Sequence, residues 1–595
     1  MIIHALNKYY DILLQETDVD IPRFSYCKAK VSFALNLSIE GVLLDVIDIR
    51  TVGKGNKLIS VEMEVPEQIK RASGIAANFM CDNSTYVLGI DNKKKPERAI
   101  QAFEAYKELH KKVLNGVADV GAKAVLCFLD SWNPEVATQH PKLVNVLQDL
   151  FTGGNIVFKL DGVKGYIHQR PDIKEAWERY CEYSEDEVTS QCLVTGQNAS
   201  IARLHQSIKG VKGAQQSGAS LVSFNLESFK SYGKEQSYNA PISKSSAFAY
   251  TTVLNYMLSN FRQRIQIGDA TTVFWAESPE GIYEDLMYEL FSPSNEKEDE
   301  DNQKQEDVLK HDTKTIQLVH DILGRIRQGK QIDNAITEVD PNVRFYILGL
   351  SPNSSRISVR FWFTDTFGVF VNRIGMHYKD MEIVKPKNAI DFIPIYRILN
   401  ETVPKKSKEK KAAPLLGGAL MRSILTGALY PHSLYTSILS RIRADKDINY
   451  VRASVIKAVL LRKARIQGNK EKEVMLTMSL NTQSENVAYR LGRLFALLEK
   501  AQQDAIPNLN STIKDRYYGA ASSRPRTTFP LLLRLAQHHI DKSDYGFIID
   551  KKIEEVMAGI ESFPSYLNLE EQGLFVLGYY HQRQSLYEKN KKKEG

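Results

Sequence analysis

The stretch Arg344-Phe-Tyr-Ile-Leu-Gly-Leu350 is separated from Arg356-Ile-Ser-Val-Arg-Phe-Trp-Phe363 by the turn sequence Ser351-Pro-Asn-Ser-Ser355. Both arms are rich in the β-branched and aromatic residues that favour strands. Proline and asparagine between the arms favour a turn. The three segments therefore predict a β-hairpin. Val308–Arg327 before the hairpin and residues 481–588 after it show helical spacing instead, so the fold class is predicted as α+β.

Short strands separated by turn signals dominate the N-terminal part of the chain. The strand-like runs are Lys30–Leu37, Val42–Arg50 and Lys57–Val65, and helical spacing occurs over residues 1–16, 96–116 and 143–151. A second hairpin is indicated at residues 155–167, where Asp161-Gly162 joins two apolar runs. We therefore expect a β-rich mixed N-terminal domain.

The C-terminal part of the chain carries four apolar stripes at helical spacing over residues 481–588. Asn568 and Glu571, at the start of the fourth stripe, have the spacing of a capping box. Because the connections between the stripes are short, the pattern predicts an antiparallel four-helix bundle.

The length of 595 residues predicts two to four domains of about 100–200 residues each. A charged run at residues 294–307 is typical of a solvated linker. The predicted division is an N-terminal mixed domain over 1–295, an acidic linker over 296–307, a mixed middle region with the hairpin and basic helices over 308–480, and a helical bundle over 481–595.

The composition is that of an ordinary globular protein, with 43% hydrophobic and 25% charged residues and a net charge of +7. This mildly basic balance permits a nucleic-acid partner without requiring one. The five cysteines include no C-x-x-C pair, which argues against a zinc knuckle. Neither a signal peptide nor an apolar run of about 18 residues is evident. We therefore expect a cytoplasmic protein without a membrane partner.

The segment Arg203–Asn225 combines glycines with lysines and amides, and no acidic residue occurs from Val188 to Leu226. Small glycines let backbone N–H groups approach phosphate, and lysines supply positive charge. The alternative is a glycine-rich surface loop with solvated lysines. The candidate ligand-contacting residues of this loop are Lys209, Lys212, Gln215 and Gln216.

Three further segments carry nucleic-acid signals. Lys70, Arg71, Asn78 and Asn83 lie close together in sequence, and asparagine and arginine can read base edges. Arg262 and Arg264 enter a probable strand, and ten basic residues lie between Arg441 and Lys472. The alternatives are asparagines that cap backbone groups, a half-exposed strand and a solvated basic helix face, respectively.

Motifs of the common catalytic classes are absent from the sequence. It contains no Walker A motif, no H-E-x-x-H and no G-x-S-x-G. The pairs His311-Asp312, His320-Asp321 and His538-His539 are read as polar helix surface, because their spacing places them on different faces. A metal-dependent nuclease would need converging carboxylates, for which the candidates are Asp82, Asp161 and Asp269.

Long blocks of the sequence resemble the large subunit of the type I-C CRISPR Cascade complex. The resemblance runs from the N-terminal region almost to the last residue, and its blocks are Lys70–Phe79, Ile208–Asn225, Tyr232–Gln236, Phe345–Asn353, Ile513–Ala520 and Leu577–Arg583. It implies a non-catalytic subunit of a crRNA-guided surveillance complex, without cofactor or metal. A crRNA-processing enzyme is a further alternative, although the sequence shows no evident His or Tyr constellation for that reaction. Such a subunit recognises the protospacer-adjacent motif on double-stranded DNA, contacts the crRNA 5′ handle, and promotes duplex opening and R-loop formation.

The same resemblance implies the partners of the chain. These are crRNA, the target duplex and its displaced strand, the backbone, crRNA-processing and small subunits of Cascade, and a separate helicase–nuclease. The C-terminal bundle resembles the small subunit, and Met475 or Met478 could begin an internally translated copy of it.

We assign the residues to two roles on this basis. Motif reading and DNA contact are assigned to Lys70, Arg71, Asn78, Asn83, Lys209, Lys212, Gln215, Gln216, Lys234, Gln236, Asn239, Arg262 and Arg264. Guidance of the DNA strands by backbone charge is assigned to Arg462, Lys463, Arg465, Arg490, Arg493, Lys514, Arg516, Arg524 and Arg526.

Overall fold

A computed structural model describes residues 1–16, 19, 21–52, 58–69, 74–91, 96–182, 188–293, 313–328, 339–407, 411–413, 415–507, 509–544 and 546–591. The chain forms two compact units. The first comprises residues 1–208 and 220–256, and the second comprises residues 209–219 and 257–595. The domain division expected from the sequence stays a prediction, and its acidic linker lies outside the described residues.

The first unit is built on a four-stranded sheet around one long strand, β1. The first half of β1 pairs antiparallel with β5, and its second half pairs antiparallel with β2 and parallel with β6. The strands of this unit are β1 (Tyr26–Leu37), β2 (Leu43–Asp48), β3 (Thr51–Val52), β4 (Leu58–Ile59), β5 (Val61–Pro66), β6 (Asn155–Leu160), β7 (Thr189–Gln191) and β8 (Asn198–Ser200).

Helices cover this sheet and close the core of the first unit. The core contains Phe33 of β1, Phe158 of β6, and the ring of Trp177 stacked on Phe79. The helices are α1 (Ile2–Leu13), α2 (Ser84–Val87), α3 (Pro96–Leu114), α4 (Val120–Ser131), α5 (Leu147–Thr152), α6 (Pro171–Glu182) and α7 (Lys244–Ser259), whose C-terminal end belongs to the second unit.

The hairpin predicted through Asp161-Gly162 is wrong. Asp161 does follow a strand, but its backbone N–H donates to the carbonyl of Leu37, and Asn36 donates to its carboxylate across 2.8 Å. These bonds fix β6 beside β1 in parallel. The chain then turns into a short 3-10 helix at Ile167–Gln169 instead of a returning strand.

The second unit contains the hairpin predicted at 344–363, which is confirmed as β11 (Arg344–Asn353) and β12 (Arg356–Thr366). Together with β9 (Arg264–Ile267) and β10 (Ala270–Ala276) these strands form an antiparallel sheet of order β12-β11-β10-β9. Phe274, Ile347 and Phe361 lie in one large core with the helices of this unit.

Helices make up the rest of the second unit, and the α+β class is confirmed. Those before residue 480 are α8 (Ile282–Phe291), α9 (Thr313–Arg327), α10 (Phe367–Met381), α11 (Ile395–Asn400), α12 (Leu416–Thr426), α13 (His432–Asp445), α14 (Tyr450–Ile466) and α15 (Lys470–Met475). Those after it are α16 (Val487–Ala505), α17 (Ile513–Ala521), α18 (Pro525–Ile540), α19 (Gly546–Met557) and α20 (Leu569–Lys591).

The segment from α16 onward has five described helices where the sequence predicted four, because α17 precedes α18 as a separate short helix. α16 packs against α18, α19 and α20. Its contact with α20 is close, because a Cβ on Gly492 would lie 2.0 Å from the carbonyl oxygen of Phe575. The capping box of α20 is confirmed: Asn568 accepts from the Glu571 N–H at 2.9 Å, and Glu571 accepts from the Asn568 N–H at 2.7 Å.

Candidate nucleic-acid interface

The glycine-rich loop is anchored in the second unit by its small and apolar residues. Val211 and Ala219 are buried, and the backbone N–H of Lys212 donates to the hydroxyl of Thr271 on β10 across 3.0 Å. At Gly210, φ is +88° and an added Cβ would come within 3.1 Å of Leu258, so both conformation and space favour glycine. The loop backbone is therefore fixed against its own unit.

The charged and amide side chains of the same loop lie outside that anchor. Lys209, Lys212, Gln215 and Gln216 are all exposed. Because the backbone is anchored and the side chains reach solvent, the loop presents two cations and two hydrogen-bonding amides together. A polyanion bound there would meet charge and directional donors on a backbone that is already ordered.

The asparagines assigned to motif reading in the first unit have structural partners. Asn78 is buried, and its Oδ1 accepts from the backbone N–H of Ile69 across 2.9 Å. Asn83 caps α2 by accepting from the backbone N–H of Thr85 at 3.0 Å. The alternative that the sequence offered, asparagines that cap backbone groups, describes both. Lys70 and Arg71 lie outside the described residues.

A second loop of the first unit carries Lys234, Gln236 and Asn239. The Asn239 side chain donates to the carbonyls of Lys234 and Gln236, each across 3.0 Å, and accepts from the backbone N–H of Ser231 at 3.1 Å. Asn239 is therefore a brace for this loop. Lys234 is exposed, and Gln236 is half-buried.

The two arginines that enter β9 are already engaged. Arg262 pairs with Asp285 across 3.2 Å while its side chain stays 57% exposed. Arg264 donates to the carbonyl of Leu258 at 2.5 Å. Arg262 is thus exposed, and a phosphate could take the place of Asp285 as its ion-pair partner. Arg264 instead binds a carbonyl in the last turn of α7.

The basic segment 441–472 is neither a continuous cationic stripe nor a solvated face, and this corrects the assignment of Arg462. The Arg462 guanidinium is buried, donates to Asp380 and lies 4.2 Å from the ring centroid of Tyr430. Arg465 pairs with Asp380 and Glu473. These cations hold the helices of the second unit together.

Other cations of the same segment are likewise engaged. Arg452 is 1% exposed and pairs with Glu401 and Asp445, and Lys463 pairs with Glu570 while remaining 43% exposed. Burial lowers the pKa of Lys457 to about 8, and its ammonium donates to the carbonyl of Asp380. Charge counted along the sequence therefore overstates the charge available to a ligand.

The strand-guiding cations of the C-terminal helices fall into two groups. Arg493 is buried and donates to the Gln582 side chain and the Thr482 carbonyl, and half-buried Arg490 donates to the Ser484 carbonyl at 2.6 Å. Three cations at α17 and the start of α18 are exposed, Arg516, Arg524 and Arg526, and Lys514 is half-buried. The three exposed arginines present their charge to solvent.

The carboxylates that a nuclease would need are held separately. Asp269 accepts from Arg360 and Ser351, Asp161 accepts from Asn36, and Asp82 accepts from the backbone N–H groups of Asn78 and Asn83. In the described part of the chain, no group of three or more His, Cys, Asp or Glu residues is placed to hold a metal ion.

Sequence reasoning missed a cavity of about 590 Å³ in the first unit. Its wall combines the rings of Phe24, Tyr180 and Phe248 with the cations Arg203 and Lys244. The only local signal was the aromatic pair Trp177 and Tyr180 one helical turn apart, since the other lining residues come from distant parts of the chain. The combination of rings and cations suits a flat, negatively charged ligand.

Comparison with known proteins places the chain among CRISPR-associated proteins. Residues 6–587 match the family model described as CRISPR-associated protein (Cas_Csd1), and the chain belongs to this Cas_Csd1 family. No curated protein sequence matches the chain. Within the described ranges, the helices are too short or too polar to cross a bilayer.

Proposed function

We propose that the chain is the large, non-catalytic subunit of a type I-C crRNA-guided surveillance complex. In this role it recognises the protospacer-adjacent motif on double-stranded DNA and promotes duplex opening and R-loop formation. It also contacts the crRNA 5′ handle and helps to recruit the helicase–nuclease. Membership of the Cas_Csd1 family over residues 6–587 supports a place in CRISPR defence. The subtype rests on the blocks that resemble the type I-C large subunit.

The observation that carries DNA contact is the anchored, acid-free loop. Its exposed Lys209 and Lys212 would contact phosphates, and Gln215 or Gln216 would reach a base edge. The division of labour follows that of other RNA-guided systems, in which the protein reads a short motif and guide pairing reads the rest. The exposed cations of α17 and α18 would guide a strand by charge alone.

The test is salt-dependent binding of a guide-matched target duplex by the assembled complex. Replacing Lys209 and Lys212 together with alanine removes two phosphate contacts, so we expect the slope of log affinity against log salt to fall by about 1.8. Lys123→Ala with Lys142→Ala is the matched control, because it removes the same charge from two other exposed positions. Identical slopes for both double variants would contradict the assignment of the loop.

Substitutions of the two loop glutamines test motif reading separately from charge. Gln215→Ala and Gln216→Ala leave the net charge unchanged, so they should reduce the preference for the correct motif over a scrambled one without changing the salt slope. Arg516→Ala should do the reverse, weakening binding about equally on both duplexes. If the glutamine variants keep full motif preference, motif reading belongs to other residues.

A further inference from the structure

Tyr232 stands at the tip of a tight turn in the first unit, and its side chain is 99% exposed. φ is +50° at Tyr232 and +69° at Gly233, and the Lys234 N–H donates to the carbonyl of Ser231 across 2.9 Å. Positive φ at both central positions is the pattern of a type I′ turn, which glycine, asparagine and aspartate favour. The tyrosine therefore occupies a position that its own backbone preference disfavours.

The turn is held in this shape by neighbouring groups. Asn239 makes the three hydrogen bonds described above, to Ser231, Lys234 and Gln236. The backbone N–H of Ser237, which is buried, donates to the carbonyl of Arg203, a residue of the cavity wall. The ring is thus displayed on a braced support and does not sit on a loosely held loop.

Folding gives no reason for a tyrosine at this position. The side chain is almost fully exposed, so its ring buries almost no apolar area in the chain itself. Asparagine or glycine would accept the left-handed backbone more easily. Strained residues that the surrounding structure holds in place are concentrated at binding and active sites, so the ring is best explained by a contact made with a partner.

We propose that Tyr232 stacks on an unpaired nucleobase of the target DNA. This inference rests on the proposed function and adds a residue to it. An aromatic ring can stack on any base, so the contact would hold an unpaired or displaced base without reading its identity. The carboxylates of Glu227 and Glu235 both pair with Lys230, and with exposed Lys234 the turn segment carries no net charge. Stacking, not charge, would therefore make this contact.

Two substitutions at this position separate stacking from folding. Tyr232→Asn removes the ring but suits the left-handed backbone, so the turn should persist and the melting temperature should be unchanged or higher. Tyr232→Phe keeps the ring and loses only the hydroxyl. Tyr566→Ala is the control, because it removes another exposed tyrosine, 72% accessible, from the second unit.

The experiment uses the guide-loaded complex assembled with each variant and a matched target duplex. The duplex carries 2-aminopurine at successive positions around the motif, so that its fluorescence reports stacking at each position. We expect Tyr232→Asn to weaken duplex binding by about ten-fold and to abolish a fluorescence change seen at one position, since base–aromatic stacking contributes about 1–3 kcal/mol. Tyr232→Phe and Tyr566→Ala should behave as the wild type.

Two results would overturn the inference while leaving the proposed function intact. One is a Tyr232→Asn complex that binds the duplex as tightly as the wild type and gives the same fluorescence at every position. The other is a variant that assembles poorly into the complex but is unchanged on DNA, because the ring would then contact a protein subunit. A wild-type complex that fails to bind the duplex would refute the proposed function itself, and the inference with it.

Discussion

Arg462 donates from Nε to the Oδ2 of Asp380 across 2.9 Å, and both side chains are almost completely buried. The other carboxylate oxygen of Asp380 accepts from Arg465 at 2.8 Å, and its backbone carbonyl accepts from Lys457. One buried carboxylate thus compensates two guanidinium groups beside a third cation.

Replacing Asp380 with asparagine should destabilise the chain severely. The change keeps the shape of the side chain but leaves buried cations without their negative partner, which costs about 3–5 kcal/mol in comparable pairs. Thermal unfolding of the full chain would measure the loss. Glu175→Gln, which breaks an exposed pair with Arg179, should cost at most about 1 kcal/mol. Equal effects of the two substitutions would show that the Asp380 cluster does not stabilise the fold.

The carboxyl of Glu284 should make stability fall as the pH rises. Burial raises its pKa to about 8, and its Oε1 accepts from the backbone N–H of Ala276. Between an unfolded pKa of about 4.3 and the folded value, the native state binds the extra proton. Stability therefore decreases with pH in this interval and levels off above the folded pKa.

Glu284→Gln tests this dependence, because glutamine keeps the acceptor and cannot ionise. The variant should gain stability relative to the wild type from pH 5 to about pH 8, by a few kcal/mol in total. Denaturant unfolding at several pH values would give the difference. A constant difference between the two proteins over this range would mean that Glu284 is not protonated in the native state.

His110 should stay neutral well below its ordinary pKa. Its Nδ1 lies 2.7 Å from the Tyr106 carbonyl and its Nε2 accepts from the Met80 N–H, so both ring nitrogens are satisfied in one neutral tautomer. Burial lowers its pKa to about 4. The stability that the neutral His110 ring contributes is fully present above the unfolded pKa of about 6.5. It is lost as the pH falls through the pKa of the folded state.

Selective ¹⁵N labelling of histidine would test that assignment by NMR. The His110 ring should show the tautomer protonated at Nδ1 and no titration above about pH 5. His110→Gln would identify its signals. A ring that titrates near pH 6.5 would place His110 in a solvated site.

Alanine substitutions at Gly492 and Gly519 should have opposite effects on stability, because Gly492 lies in the close contact between α16 and α20 and Gly519 does not. Gly492→Ala would drive a methyl group into the Phe575 carbonyl and should cost about 1–3 kcal/mol or more, because the backbones cannot approach as closely. Gly519→Ala on α17 meets no atom within 4 Å and should stabilise by about 0.4–1 kcal/mol. Melting temperatures would show both signs. A neutral Gly492→Ala would mean that the two helices are further apart.

The features predicted correctly from the sequence depend on neighbours in the chain. The hairpin at 344–363 is specified by alternating residues and a proline–asparagine turn, and the capping box of α20 needs only Asn568 and Glu571. The hairpin predicted at 155–167 does not form, because Asp161 binds Asn36 and Leu37 of β1 instead. Asn36 lies 125 residues away in the chain. A pattern among neighbouring residues could not show that this segment pairs with the distant strand β1.

The candidate site, too, was predictable only where its features depend on local sequence. The exposed cations and amides of the loop follow from its composition, because an acid-free glycine-rich segment seldom forms a core. The burial of Arg462 could not be inferred, because its partner Asp380 lies 82 residues earlier in the chain. The sequence also does not show that the Asn78 side chain accepts from the Ile69 backbone instead of facing a ligand.

The anchored loop has a consequence for the order in which the chain is synthesised. Residues 209–219 leave the ribosome before Thr271 and Pro352, against which Lys212 and Gly213 rest in the finished protein. Domains that emerge first generally fold first, yet this segment must wait for strands made later. A nascent or truncated chain ending at residue 256 would carry the loop without its support, so a fragment of that length would not hold the loop in the conformation that it has in the whole protein.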